Sequence, residues 1–186
     1  MTHRMPRRLS RFARDQRGTI TVESVIYLPL LIWIVIMTFV FFDVFRNENT
    51  NAKAAYAVAD VLSRQVTPVN AAYLDGLGQV YARLARARHP TSLRVSSVDF
   101  DFNADAYRLR WSYATDGADA LTADVLQQMT GRLPTLSPGE TIILVETMLD
   151  YEPLLDFGFG ARNLHHVIPT RPRFVPRLLF NGAGVS

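Results

Sequence analysis

The sequence predicts an α+β protein: a membrane-crossing helix that continues as a stalk, then a small domain of helices and an antiparallel sheet. Three stretches carry the prediction. Val25 to Phe42 reads VIYLPLLIWIVIMTFVFF, where Thr38 is the only polar side chain apart from the amphipathic Tyr27 and Trp33. Tyr107, Leu109, Trp111 and Tyr113 alternate with Arg108, Arg110 and Ser112, the period of a strand with one wet face. Residues 141–151 carry the β-rich run Ile142-Ile143-Leu144-Val145, which suits a central strand.

The apolar run is long enough for a bilayer, since about 18 helical residues rise roughly 27 Å. It has no polar face, unlike the core helix of a soluble protein. Pro29 lies near its start. The ring removes the bond to the carbonyl of Val25 and predicts a kink or a loosened turn there. Such a turn is tolerated in a membrane if neighbouring groups satisfy the carbonyl.

Of 186 residues with a net charge of +3, those through Gly18 hold six arginines against Asp15, a side-chain charge of +5. The remainder is therefore −2. That asymmetry keeps the N-terminus in the cytoplasm and sends the body across. It also argues against a nucleic-acid binder, which needs a basic face on its folded part. A local basic stretch, Arg162, Arg171, Arg173 and Arg177, reads as a solvated tail. Without cysteine, neither a disulfide framework nor a thiolate metal site is possible.

Residues 47–65 extend the membrane helix, with Ala55, Val58, Ala59 and Leu62 on one face. Small-x-small triplets here, such as Ala52-Lys53-Ala54, are the alternative sign of ordinary signal cleavage, but they lie far past Phe42. Thr67-Pro68 breaks the helix. Residues 71–88 form a second helix with Leu74, Leu77, Tyr81 and Leu84 aligned, weakened by Gly76 and Gly78 and ended by His89-Pro90. Residues 93–102 form a strand whose rhythm shifts phase near Ser96-Ser97, the mark of a bulge. Residues 103–106 are the hairpin loop to the alternating strand. Residues 120–132 form a short helix with Leu121, Val125 and Met129 in line. From Glu152 the chain wraps the sheet and ends loosely.

No catalytic constellation emerges. On a strand the rings of His165 and His166 face opposite ways, so a metal site with Asp150, Glu152 and Asp156 would need a special loop. Gly158-Phe159-Gly160 lacks the third glycine of a dinucleotide fingerprint. Neither a cofactor nor an enzyme activity is expected.

A basic leader, Gly18, Thr19-Ile20-Thr21-Val22, then Glu23 before a lipid-like run resembles the N-terminus of the type IV pilin superfamily. Within it, "RFARDQRGTITVESVIYLPLL", with the later "ETMLDYEPLL" and "TRPRF", resembles the TadE/TadF group of Tad (Flp) pilus systems, which are minor pilins or pseudopilins. Residues 66–139 carry no such likeness. The resemblance implies cleavage between Gly18 and Thr19 by a prepilin peptidase. Residues 1–18 are then a cytoplasmic leader, 19–45 a transmembrane helix and 46–186 a periplasmic domain, in the bacterial inner membrane. The partners implied are the membrane, that peptidase, other pilins or pseudopilins and the assembly platform. Cleavage makes Glu23 the fifth residue and frees an amine on Thr19. A neighbour's Glu23 can pair with that amine in low dielectric and set the register of stacked helices. The other reading is an uncleaved, single-pass structural or adhesion protein, in which Glu23 only marks the boundary and reaches up to water.

Overall fold

The computed structural model describes residues 17–151 and 162–182, with backbone alone for 17–22. Residues 1–16, with most of the arginine leader, lie outside it, as do Glu152, Asp156 and Gly158-Phe159-Gly160. The chain divides into two compact units, Met1–Phe42 and Asp43–Ser186.

The first element, α1, is Arg17–Ser63, with Pro29 inside it. Helical backbone continues on both sides of Pro29, so the missing N–H does not end the helix. In the first unit nearly every apolar side chain from Val25 onward is exposed, with Val25 at 67% and Phe39 at 72%. Thr38 turns its hydroxyl back to donate to the Ile34 carbonyl (2.8 Å), which removes the run's one polar side chain from competition.

The second unit is α+β. In its share of α1, the predicted stripe of Ala55, Val58, Ala59 and Leu62 is fully buried, with Ala54 beside it. The second helix, α2, is Ala71–Leu84, N-capped by Asn70, whose side chain accepts from the Tyr73 N–H at 2.9 Å. Leu74, Leu77 and Tyr81 are buried as expected, but Leu84 is exposed. The helix stops four residues short of Arg88. Ala85 caps it and Arg86 turns left-handed at φ 53°, so the chain has left the helix before His89-Pro90. Gly78 suits this helix because a Cβ there would come within 3.1 Å of the Thr115 hydroxyl.

Four antiparallel strands follow in the order β2-β1-β3-β4: β1 Thr91–Asp101, β2 Ala106–Ala114, β3 Thr141–Tyr151 and β4 Arg162–Thr170. The central position of β3 is as predicted, and Thr141 through Thr147 are all buried. The strand β4 is a correction: the chain from Glu152 was expected to wrap the sheet without joining it, yet residues 162–170 pair with β3 from Ile143↔Thr170 to Tyr151↔Arg162. Their mixed polarity hid an edge strand, which needs few apolar side chains.

The two strands of the hairpin also differ from expectation. The register slips between Ser97 and Val98, which face Trp111 and Leu109, so the extra residue is Arg110 on β2 rather than a serine of β1. A one-residue slip turns the side chains that follow to the other face. Trp111 and Tyr113 therefore pack with Leu93 and Val95 beneath the helices, while Tyr107 and Leu109 pack with Val98 and Phe100 on the opposite side. The even alternation of β2 reads as one apolar face only without the bulge.

Both faces of the sheet are thus covered. α1 and α2 cover one. The other carries the connection between β2 and β3, with Leu121, Leu126 and Leu136 buried. Its helix, α3, is only Ala123–Gln128, capped by Thr122, with a 3-10 turn at Thr130–Arg132. Leu126 rather than Val125 faces inward.

Residues 171–182 are not loose. Val69 donates to the Leu179 carbonyl (2.9 Å), Asn181 to the Val69 carbonyl (2.7 Å) and Arg173 to the Ser63 carbonyl (2.8 Å). Leu178 is buried, its carbonyl accepts from the Trp111 indole at 2.9 Å, and Phe180 stacks on Trp111 and Tyr113. The arginines read as a solvated tail are partly engaged: Arg171 pairs with Glu140 and Arg173 with Asp60.

Candidate functional site

The residues singled out in the sequence lie at the start of α1. Gly18 and Thr19 occupy its first turn, and Glu23 follows one turn later, exposed, just before the apolar surface begins. Among the described residues Glu23 makes no ion pair. Pro29 lies less than two turns beyond it. One stretch of helix therefore holds a glycine, an exposed carboxylate and a run of exposed apolar side chains. Among the described residues this is the one helix long and apolar enough to cross a membrane, with mean hydropathy of 2.7 over its best window.

The sheet carries a charged cluster that the sequence reading did not pick out. Arg94 on β1 and Glu146 on β3 stand opposite one another in register. Arg94 grips Glu146 with two hydrogen bonds, Nε to Oε2 at 2.6 Å and an Nη to Oε1 at 2.7 Å. His165 on β4 approaches the same carboxylate at 3.3 Å. Glu146 is fully buried. Burial pushes its pKa up, but the hydrogen bonds and charges of His165 and Arg94 outweigh this and hold it below the ordinary value. A charge directly after Ile142-Ile143-Leu144-Val145 was the available signal. An inaccessible carboxylate with both oxygens engaged is a tie across three strands, not a group that can meet a substrate.

His166 faces the other side, as strand geometry requires. It lies opposite Thr147 in register. Nearby, the Tyr81 hydroxyl donates to the Asn51 side-chain oxygen and ties α2 to α1. Burial pushes the Tyr81 pKa to about 12 against the pull of hydrogen bonds to Thr147 and Asn51. Asp150 accepts from Asn163 (2.8 Å). The two histidines and Asp150 therefore do not converge, and no cluster of His, Asp and Glu is placed to hold a metal ion among the described residues.

The bulge creates a second charged group. Arg108 and the extra residue Arg110 both reach Asp99, at 3.1 Å and 2.6 Å. They line a cavity of about 700 Å³ with Thr141 and Leu178. Desolvation raises the Asp99 pKa, but the bonds and charges of the two arginines carry it below the ordinary value. The guanidiniums here are already answered by a carboxylate.

No protein-family model, curated protein or solved structure matches the chain.

Proposed function

We propose that this protein is a minor pilin or pseudopilin that takes part in assembling a Tad/Flp-type pilus after a prepilin peptidase cuts between Gly18 and Thr19. The observation that carries the reading is the spacing of Gly18, Thr19 and Glu23 on the first turns of a helix whose next residues are apolar and exposed all round. A helix with every face apolar has its partner in lipid or in other helices. In this reading it anchors the protein in the bacterial inner membrane, N-terminus in the cytoplasm and body in the periplasm.

Cleavage leaves the Thr19 amine at the positive end of the helix dipole, an unfavourable place for a cation. A carboxylate one turn along the same helix, or on a neighbour shifted by several residues, offsets that charge. Glu23 is the residue so placed. The mechanism is mechanical: apolar helices pack side by side, the amine and carboxylate set register, and the body selects neighbours.

One observation favours the other reading, an uncleaved anchor. Helical backbone spans Gly18 and Thr19, whereas a protease takes its substrate extended. The glycine makes local unwinding cheap. N-terminal sequencing and intact mass of the protein from its native membrane decide between the two, with a peptidase-deficient strain as control. A chain beginning Thr-Ile-Thr-Val-Glu, and absent from that strain, supports processing. A chain that retains its arginine leader overturns it.

A further inference from the structure

The second unit holds a second basic cleft, of about 540 Å³. Arg46 and Lys53 reach it from α1, and Arg86, Arg88 and His89 from the connection between α2 and β1. Asp43 and Asp150 also line it and keep their charge, so four permanently basic side chains face two carboxylates there. Tyr151 donates to Asp43 and Asn163 to Asp150, both at 2.8 Å. Among the described residues none of Arg46, Lys53, Arg86 and Arg88 makes an ion pair, although all four are exposed. At the bulge cavity Asp99 answers Arg108 and Arg110, and among the described residues Arg177 is its one lining arginine without an ion pair.

Arg86 ends α2 in the left-handed conformation, φ 53°, a common helix cap in which the Ala87 N–H bonds back to the Ala82 carbonyl at 3.0 Å. The turn carries Arg86, Arg88 and His89 to the side of α1 where Arg46 and Lys53 stand. Asp43, the first lining residue, directly follows the apolar run, and Arg46 comes one turn later. Basic side chains immediately beyond a membrane helix meet the headgroup layer, where anionic phosphates attract them.

We propose that the cleft is a phosphate-ester site that holds the headgroup of an anionic phospholipid of the leaflet into which α1 emerges. The proposal rests on α1 spanning the membrane, as above. Guanidinium forks from two chain segments suit a phosphodiester, and they tie the α2–β1 turn to the membrane surface.

The test is native mass spectrometry of the full chain in detergent, offered phosphatidylglycerol, phosphatidylcholine or inorganic phosphate. It is run on the wild type and on Arg86→Asn/Arg88→Ser, in which asparagine accepts the left-handed turn. The wild type should retain phosphatidylglycerol and not phosphatidylcholine. The double variant should bind it roughly 30-fold more weakly, about fivefold for each basic residue. Equal retention by wild type and variant overturns the site. Equal retention of both lipids overturns its phosphate chemistry. Displacement by inorganic phosphate at a matching concentration overturns the lipid and leaves a soluble anion. Binding of none of the three overturns the proposal. Alkaline carbonate extraction of native membranes examines the anchor separately: release of the chain refutes the span whatever the cleft binds.

Discussion

Replacing Arg94 by methionine tests the tie across the sheet. The substitution leaves Glu146 fully buried and removes two charge-assisted bonds of 2.6 and 2.7 Å, with only His165 at 3.3 Å to answer the carboxylate. A buried charge that loses its partner costs about 3–5 kcal/mol. For a body of this size that lowers Tm by roughly 10–15 °C. The pH dependence has a definite sign. Glu146 is held below its ordinary value of 4.5, so its contribution is full above pH 4.5 and is lost as pH falls further. The gap between wild type and Arg94→Met therefore narrows as pH falls, first because the stranded carboxylate, pushed up by burial, takes up a proton, and below pH 4.5 also because the wild type loses its own contribution. Removing both partners, as Arg94→Met/Glu146→Leu, should restore stability to within about 1 kcal/mol of wild type, since apolar replacements of buried pairs are commonly neutral. Near-UV circular dichroism melts of the full chain in detergent, at neutral and acid pH, give all three values. A single variant that loses less than about 1 kcal/mol, or a double variant as unstable as the single, would refute the reasoning.

Other expectations are more local. Glu23→Gln should leave cleavage intact but weaken incorporation into pili, and Gly18→Leu should block cleavage; normal piliation in the Glu23→Gln strain would sink the register mechanism. Gly76→Ala should stabilise by roughly 0.5–1 kcal/mol, since nothing lies within 4 Å of its new methyl group, whereas Gly78→Ala should lose that gain against Thr115 in the same melts. Deleting Arg110 should leave Trp111 in the core, because Leu109 and Trp111 then alternate as neighbours in an unbulged strand; tryptophan emission on a Trp33→Phe background should stay unchanged, and a red shift would count against Arg110 as the extra residue. Truncation after Thr170 removes Leu178 and Phe180 from the core and should cost about 3–5 kcal/mol, measured by denaturant unfolding.

Much of the fold was legible because its elements have strong periods. The stripe of Ala55, Val58, Ala59 and Leu62, the buried face of α2 and the central run of β3 all follow from apolar spacing. Three features were not. The phase change in β1 reflects a sheet covered on both sides, which a reading with one wet face cannot express. The bulge at Arg110 shows only in the pairing of two strands. The strand β4 gains its order from β3, with little apolar patterning of its own. The N-terminal site was legible as spacing, since Gly18, Glu23 and the apolar run are local. The Arg94–Glu146–His165 tie and the cleft around Arg86 join residues distant in sequence, and no short motif announces them.

The segment after β4 has a consequence for synthesis. Leu178 and Phe180 close the core over Trp111, and Val69 bonds both neighbours of Phe180. The helices and the hairpin are made far earlier. The emerging chain must therefore wait with an open hydrophobic seam until about residue 180 is free to dock. The domain is clasped late, by the last segment to become available.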